Sequence, residues 1–341
     1  MGSGEQTDLI RLKAEKPALL LAPMDSVTDA PMRALQGETG AFTFAVSEFI
    51  RVSANAVPVK VFHREVPELL EGGVTRSGLP VQVQILGGNL ELMAESALNA
   101  VEAGTQAIDI NFGCPAPTVN RNDGGATILQ YPHRIYDIVK AVRSAVPRSI
   151  PVSAKIRLGW ESVDEVDEIA CQVERAGADW LVIHARTKLQ KYRPPVFWDR
   201  VGRVNRRLSI PVVANGDVWT LEDFRRCREE TGCEHFMLGR GALARPGLAC
   251  QIAKELGLLA PEAVVETDWV KLLRRLSWYA GQQSRNRRDK TFHRLKQWLN
   301  MARTFGDFPH FDQVKKCGSE DEFFTLLERL LKQDAALPLE I

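Results

Sequence analysis

The sequence predicts a (β/α)8 TIM barrel followed by a C-terminal all-helical domain. Eight short apolar runs recur through the first three-quarters of the chain, and amphipathic helical patterns stand between them. Beyond about Pro261 the strand pattern stops while the helical one continues. With 341 residues the chain is too long for one small domain and suits a barrel with an appendage. The expected division is an N-terminal extension over 1–16, the barrel over 17–260 and the helical domain over 261–341.

The eight runs are Leu19 to Ala22, Phe42 to Ser47, Val81 to Leu86, Ala107 to Asn111, Val152 to Ile156, Trp180 to His184, Val212 to Ala214 and His235 to Leu238. Several are nearly continuous in apolar residues, as expected of strands covered by helices on one face and packed in a barrel on the other. Helical periodicity marks Leu90 to Ala103, Pro132 to Val146, Val163 to Ala176 and Leu221 to Thr231. The stretch from Ile50 to Leu79 is long for a connection, and with VPVKVFHREVPEL it is expected to fold over the rim as a lid or minor excursion. In the last quarter, WVKLLRRLSWYAGQQ, FHRLKQWLNMARTF and EDEFFTLLERLLKQ are amphipathic at helical period and predict a small bundle.

Composition narrows the class. The first sixteen residues are polar and lack the apolar stretch of a secretory signal, and no later segment has the apolar length that spans a bilayer. A cytoplasmic protein with no membrane partner is expected. The six cysteines (Cys114, Cys171, Cys227, Cys233, Cys250, Cys317) lack paired spacing and fit a reduced compartment. Net charge is only +1, yet Lys271 to Lys316 holds twelve Lys and Arg against three Asp, so that segment is +9 and the remainder −8. Such a split fits a surface for polyanions, or else a solvated helix face.

In this barrel the site is assembled at the carboxyl ends of the strands. Those ends carry Pro23, Met24 and Asp25 after the first strand, Glu48 and Gln84 with the second and third, and Asn111 and Cys114 with the fourth. Lys155 and Arg157 follow on the fifth, His184 and Arg186 on the sixth, Asn215-Gly216-Asp217 on the seventh and Gly239-Arg240-Gly241 on the eighth.

Cys114 stands out. Gly113 before it and Pro115 and Pro117 after it hold the thiol on a stiff, shaped turn among small and polar neighbours. That setting suits a nucleophile or proton donor, against a free cysteine that fills space. No second Cys or His lies at ligand spacing, so no metal site is expected.

The glycines after the last two strands stand where this barrel usually binds phosphate, which implies a phosphorylated cofactor or substrate. Lys155 then has three candidate roles: a Schiff base with a carbonyl substrate, stabilisation of negative charge on a reduced flavin, or a paired core lysine. Gln84 and Met24 suit a flat heteroaromatic ring and favour flavin. No GxGxxG follows the first strand, so a Rossmann dinucleotide site is not supported. His184 alone reads equally as structural or functional.

Taken in order, the motifs resemble those of the tRNA-dihydrouridine synthases, flavin enzymes that reduce specific uridines in tRNA. APMDSVTDAPMR is similar to the family's opening motif, NFGCPAPTVNRNDGGATIL to its cysteine loop, AKIRLGW to its lysine strand and HARTKLQKY to its histidine strand; ANGDVW and MLGRGAL resemble its phosphate loops. The resemblance spans nearly the whole chain. SEFIRV, VPVKVFHREVPEL and RLKQWL are most like the bacterial branch that acts on uridine 16 of the D-loop. Asp25-Ser26 stands where many relatives have small residues, which leaves the flavin contact there to backbone and Met24. The N-terminal extension resembles nothing in the family.

The resemblance implies FMN beside Pro23, Met24 and Asp25, with Gln84 and Lys155 at its pyrimidine edge and His184 close by. Asn215, Gly216, Asp217, Gly239 and Arg240 would hold its phosphate. It further implies NADPH as reductant, hydride to C6 of a flipped uridine and a proton from Cys114 to C5. Asn111 and Arg157 would read the uracil edge and neighbouring phosphate. The basic helices, with Arg287 and Arg288 as probes, would grip the tRNA mostly through phosphates. A monomer is expected. The rival readings are an FMN barrel acting on a free pyrimidine, a Schiff-base aldolase and a non-catalytic tRNA-binding protein.

Overall fold

The computed structural model describes residues 10–13, 15–282 and 291–336. Among them nine parallel strands are β1 (Ala18–Leu21), β2 (Phe44–Val46), β3 (Ile50–Arg51), β4 (Val81–Leu86), β5 (Ile108–Asn111), β6 (Val152–Arg157), β7 (Trp180–His184), β8 (Val212–Asn215) and β9 (His235–Leu238). They pair in the order β2-β1-β9-β8-β7-β6-β5-β4-β3, and β2 also pairs with β4, so the sheet closes. Both β2 and β3 lie along β4, at Ala45 opposite Val81 and Ile50 opposite Ile85. They are two pieces of one stave in an eight-staved TIM barrel. The ladder is bridged at the break by Ser47, whose Oγ accepts from the Gln84 N–H at 3.0 Å.

Alternation along the strands sorts the residues into two populations. Val81, Val83, Ile85, Ile108, Ile110, Val152, Ala154 and Ile156 belong to the large core between the sheet and its covering helices. The alternate positions face the barrel axis. In β1 and β2 these are apolar, and in β7, β8 and β9 they are apolar except for His184, Asn215 and His235; Leu20, Phe44, Trp180, Val182, Val213 and Met237 form a second core, which Ile10 and Leu12 join. In β4, β5 and β6 they are Gln82, Gln84, Asp109, Asn111, Ser153, Lys155 and Arg157. Half of the barrel interior is therefore polar, and that half leads to the Cys114 loop.

The stretch expected as a lid is part of the wall. It forms a helix at Val59–Glu65 and a 3-10 turn at Pro67–Glu71, and Phe62, Val66 and Leu69 enter the main core. His63 Nε2 meets the Ala103 carbonyl at 3.0 Å, where the helix Leu90–Glu102 ends at the barrel floor. Arg33, wholly buried on the helix Ala30–Gly37, clamps the same segment through two 2.8 Å bonds to Glu68. The chain thus descends from rim to floor like the other covering helices.

The C-terminal helices Trp269–Gly281, Thr291–Phe305, Phe311–Val314 and Glu320–Ala336 stand against the first covering helix, Ala30–Gly37, and the short helix Arg240–Ala244 that follows β9. Met32, Leu35 and Leu243 of the barrel share one core with Leu276, Leu295, Trp298, Leu299 and Phe323. Trp298 Nε1 donates to the Leu243 carbonyl at 2.8 Å. Among the described residues no helix is long and apolar enough to cross a membrane.

Candidate active site

A cavity of about 360 Å³ opens at the carboxyl ends of the strands; all fourteen barrel residues given a role by the resemblance line it, whereas Glu48 and Arg186, also at strand ends, do not. Arg287 and Arg288 lie outside the described residues.

The Cys114 loop is tied at several points. Asn111, the last residue of β5, accepts on its Oδ1 from the N–H groups of Gly113 (2.8 Å) and Cys114 (3.0 Å). The Cys114 carbonyl accepts from the Ala126 N–H at 3.0 Å and from Asn120 Nδ2 at 3.3 Å. Gly125 takes a left-handed φ of 60°, and a β-carbon there would stand 2.9 Å from the Cys114 carbonyl and 3.1 Å from its Cβ. Only glycine fits that position without moving the thiol. Burial pushes the Cys114 thiol above its ordinary pKa, with Asp25 adding to the effect and the Ala116 N–H opposing it. A thiol so placed keeps its proton at neutral pH, which favours donation over nucleophilic attack.

Arg157 is buried and committed to backbone. It donates to the carbonyls of Gly113 (2.8 Å), Thr187 (3.2 Å) and Lys191 (2.8 Å), and so braces the cysteine loop from the other side. Gln84 is also buried, giving Nε2 to Asp109 and accepting from Asn111. The structure thus makes Asn111, Gln84 and Arg157 supports of the loop as well as lining residues.

The side of the cavity around His184 is cationic. Lys155, Arg157, Arg186 and Arg240 surround His184, and burial together with these charges holds its imidazole neutral, well below its ordinary pKa. Its Nδ1 is a buried nitrogen with no partner among the described residues. Burial, and then Arg157, brings Lys155 down to about 8, so it remains largely charged at neutral pH. The Asp217 carboxylate is bound to the Arg186 guanidinium and lies 3.9 Å from Arg240. It orients two cations and is spent as a counter-charge. Gly216, at φ 118°, leaves space beside His184, where a β-carbon would approach Cε1 at 3.3 Å.

Sequence reasoning missed an aromatic box. The Arg240 guanidinium lies 4.6 Å from the ring centre of Tyr192, 5.0 Å from Trp219 and 4.7 Å from Phe305. Trp219 and Phe305 stack at 5.1 Å with 12° between planes. Tyr192 ends the quoted HARTKLQKY and Trp219 ends ANGDVW, so both sat in motifs whose other members drew attention. Phe305 comes from the helical domain, as does Met301, which lines the cavity.

The basic segment is less bare than its charge count suggests. Eight of its twelve cations are described, and Lys271, Arg274, Arg275, Arg294, Arg303 and Lys315 pair with acids, among them Glu266, Glu328, Glu38 and Asp29. Lys296 donates to the carbonyls of Lys315 and Cys317. Several of these acids lie outside the counted window.

The dihydrouridine synthase (Dus) family model matches residues 20–333. A tRNA-dihydrouridine(16) synthase of Shewanella oneidensis is 44% identical over 283 residues, covering 83% of this chain and 87% of that protein. One of Aquipseudomonas alcaligenes is 41% identical over 315 residues, 90% of this chain and 99% of that protein. Among solved structures, an old yellow enzyme homologue of Zymomonas mobilis superposes with a TM-score of 0.51 at 13% identity, over 88% of this chain and 98% of that one, a likeness of fold.

Proposed function

We propose, from the premise that this chain belongs to the dihydrouridine synthase family, that it reduces uridine 16 in the D-loop of tRNA, with FMN as cofactor and NADPH as reductant. The coarser statement, formation of dihydrouridine in tRNA, follows from membership itself.

FMN fits the residues present. The cationic end of the cavity, with Arg240 and the small residues Gly216 and Gly239, suits its phosphate, to which Asn215 and the Asp217 backbone also contribute. Lys155, Gln84 and the orphaned His184 Nδ1 suit the polar edge of its ring, and Pro23, Met24 and Asp25 its face. When bound, FMN supplies the hydride that reaches C6 of uracil. Lys155 holds a positive charge near the developing negative charge. Cys114 gives its proton to C5, completing addition across the C5=C6 bond, and the thiolate regains a proton from solvent.

The observation that carries this reading is the placement of Cys114: half-buried, on a loop fixed by five hydrogen bonds at the wall of that cavity, where burial favours the protonated thiol. General acid catalysis depends on such placement. Asn111 and Arg157 bound the space the uracil enters. The helical domain contacts tRNA mainly through phosphates, as a monomer, with affinity that falls as salt rises.

The test is to reduce the loaded protein with NADPH without oxygen, add unmodified tRNA and follow the flavin absorbance. Return of the oxidised spectrum with tRNA, and not with free uridine, supports the reading; a tRNA lacking uridine 16 should leave the flavin reduced. If a small pyrimidine alone reoxidises it, the enzyme is a free-pyrimidine reductase. A protein that cannot be loaded with FMN overturns the cofactor assignment.

A further inference from the structure

Asp109 takes no part in the chemistry above. It sits on β5, 1% exposed, at the centre of the polar half of the barrel interior. Its Oδ1 accepts from Ser153 Oγ at 2.5 Å, and its Oδ2 from Gln84 Nε2 at 2.7 Å. Gln84 Oε1 accepts from Asn111 Nδ2 at 2.8 Å, and Asn111 Oδ1 receives the two loop N–H groups of Gly113 and Cys114.

The sense of this chain is dictated at both ends. A carboxylate only accepts, so Gln84 turns its nitrogen to Asp109 and its oxygen to Asn111. Asn111 must then offer its nitrogen to Gln84, which leaves its oxygen for the loop. Backbone N–H groups only donate, so the opposite orientation of either amide would set an NH2 against two donors and leave the loop unheld. Ser153 completes the arrangement. Its oxygen accepts from Gln82 Nε2 at 2.9 Å, so its hydrogen goes to Asp109. Lys155 on β6 is the charged group that faces this carboxylate.

We infer that Asp109 is a positioning residue: its carboxylate sets the amide sense of Gln84 and Asn111 and thereby the pose of the Cys114 loop. The catalytic consequence rests on the proposed role of Cys114. The loop geometry does not, and the experiment reads that geometry directly.

In Asp109→Asn, Ser153 still places its hydrogen on the side-chain oxygen, so the new NH2 turns to Gln84 and the relay inverts. A second change, Gln84→Glu, restores it, because a carboxylate at position 84 accepts both from the amide introduced at position 109 and from Asn111 Nδ2. Hydrogen exchange of the Gly113 and Cys114 amides is followed in the full-length protein, free of flavin and loaded. Exchange should rise on the order of ten-fold in D109N and return to within about two-fold of the parent in D109N/Q84E, as expected for the loss and recovery of hydrogen bonds. Iodoacetamide labelling of Cys114, referenced to Cys171, should follow the same order. Unchanged exchange in D109N, or a double variant as loose as the single, overturns the inference. Gln84→Leu cuts the relay one link later and should give the same rise; unchanged exchange there overturns the inference even if D109N does not fold. Loss of turnover in Cys114→Ala bears on the proposed chemistry and leaves these exchange results untouched.

Discussion

In the proposed binding mode, the aromatic box around Arg240 makes the helical domain a partner in holding the FMN phosphate, and Phe305→Ala tests this. The substitution removes a parallel stack on Trp219 at 5.1 Å and one of three rings around the guanidinium, at 4.7 Å. A stacked pair contributes about 0.5–1.5 kcal/mol beyond buried area, and an accessible cation–π contact about 0.5–1 kcal/mol. Part of that loss relaxes into the free protein, so about 1.4 kcal/mol in binding is a fair expectation, or roughly ten-fold in Kd. The assay titrates flavin-free protein with FMN and, separately, with riboflavin, following flavin fluorescence. The FMN Kd should rise roughly ten-fold while that of riboflavin, which lacks the phosphate, stays within about two-fold. Equal weakening of both ligands would mean that the cavity as a whole has slumped. No change for FMN would mean that Arg240 is held without the ring or does not serve the phosphate.

Other expectations follow from the cysteine loop and the buried carboxylate. Cys114→Ala should retain tRNA affinity but lower the single-turnover rate of flavin reoxidation by about two to four orders of magnitude, the usual weight of a general acid; an unchanged rate would remove Cys114 from the chemistry. Gly125→Ala, forced into a left-handed backbone and against the Cys114 carbonyl, should cost on the order of 10²-fold in turnover with the fold retained, checked by circular dichroism beside the rate. Asp109 is raised from 3.8 to about 6, chiefly by burial. The native state therefore holds this proton more tightly than the unfolded chain, so the group is neutral in its effect below pH 4 and destabilises as pH rises from about 4 to 6. Its share is about 3 kcal/mol, from 1.36 kcal/mol per pK unit. Urea unfolding of parent and D109N across that range should show a relative slope of this sign, and parallel pH profiles would refute it.

Much of the barrel was legible because many of its strands are short, largely apolar runs of full burial, such as Ala18–Leu21 and Trp180–His184, which stand out whatever their neighbours. Strand-end chemistry was legible for the same reason, since a barrel fixes which residues share a rim. The Ile50 to Leu79 stretch misled because its wall helix is only seven residues long and buries only Phe62, too few turns to display a period. Arg157 and Gln84 could be placed at the cavity, but their commitment to the Gly113 carbonyl and to Asp109 depends on register between strands. The box of Tyr192, Trp219, Arg240 and Phe305 draws on four distant segments and has no local signature. The basic count overstates the unpaired charge among the described residues because Glu38 and Glu328 lie outside the window in which charges were summed.

The core shared by the barrel and the C-terminal helices bears on how the protein comes into being. Synthesis delivers the N-terminal part first, and the last strand, β9, ends at Leu238, well before Trp298 and Phe323 leave the ribosome. Until they arrive, Met32, Leu35 and Leu243 have no apolar covering, and the finished sheet carries a greasy flank that invites association. The cavity likewise gains Met301, and Arg240 its Phe305 ring, only then. Folding of this chain closes on its last quarter, and until the helices lock on, the nascent barrel lacks the cover over that apolar flank and over one side of its cavity.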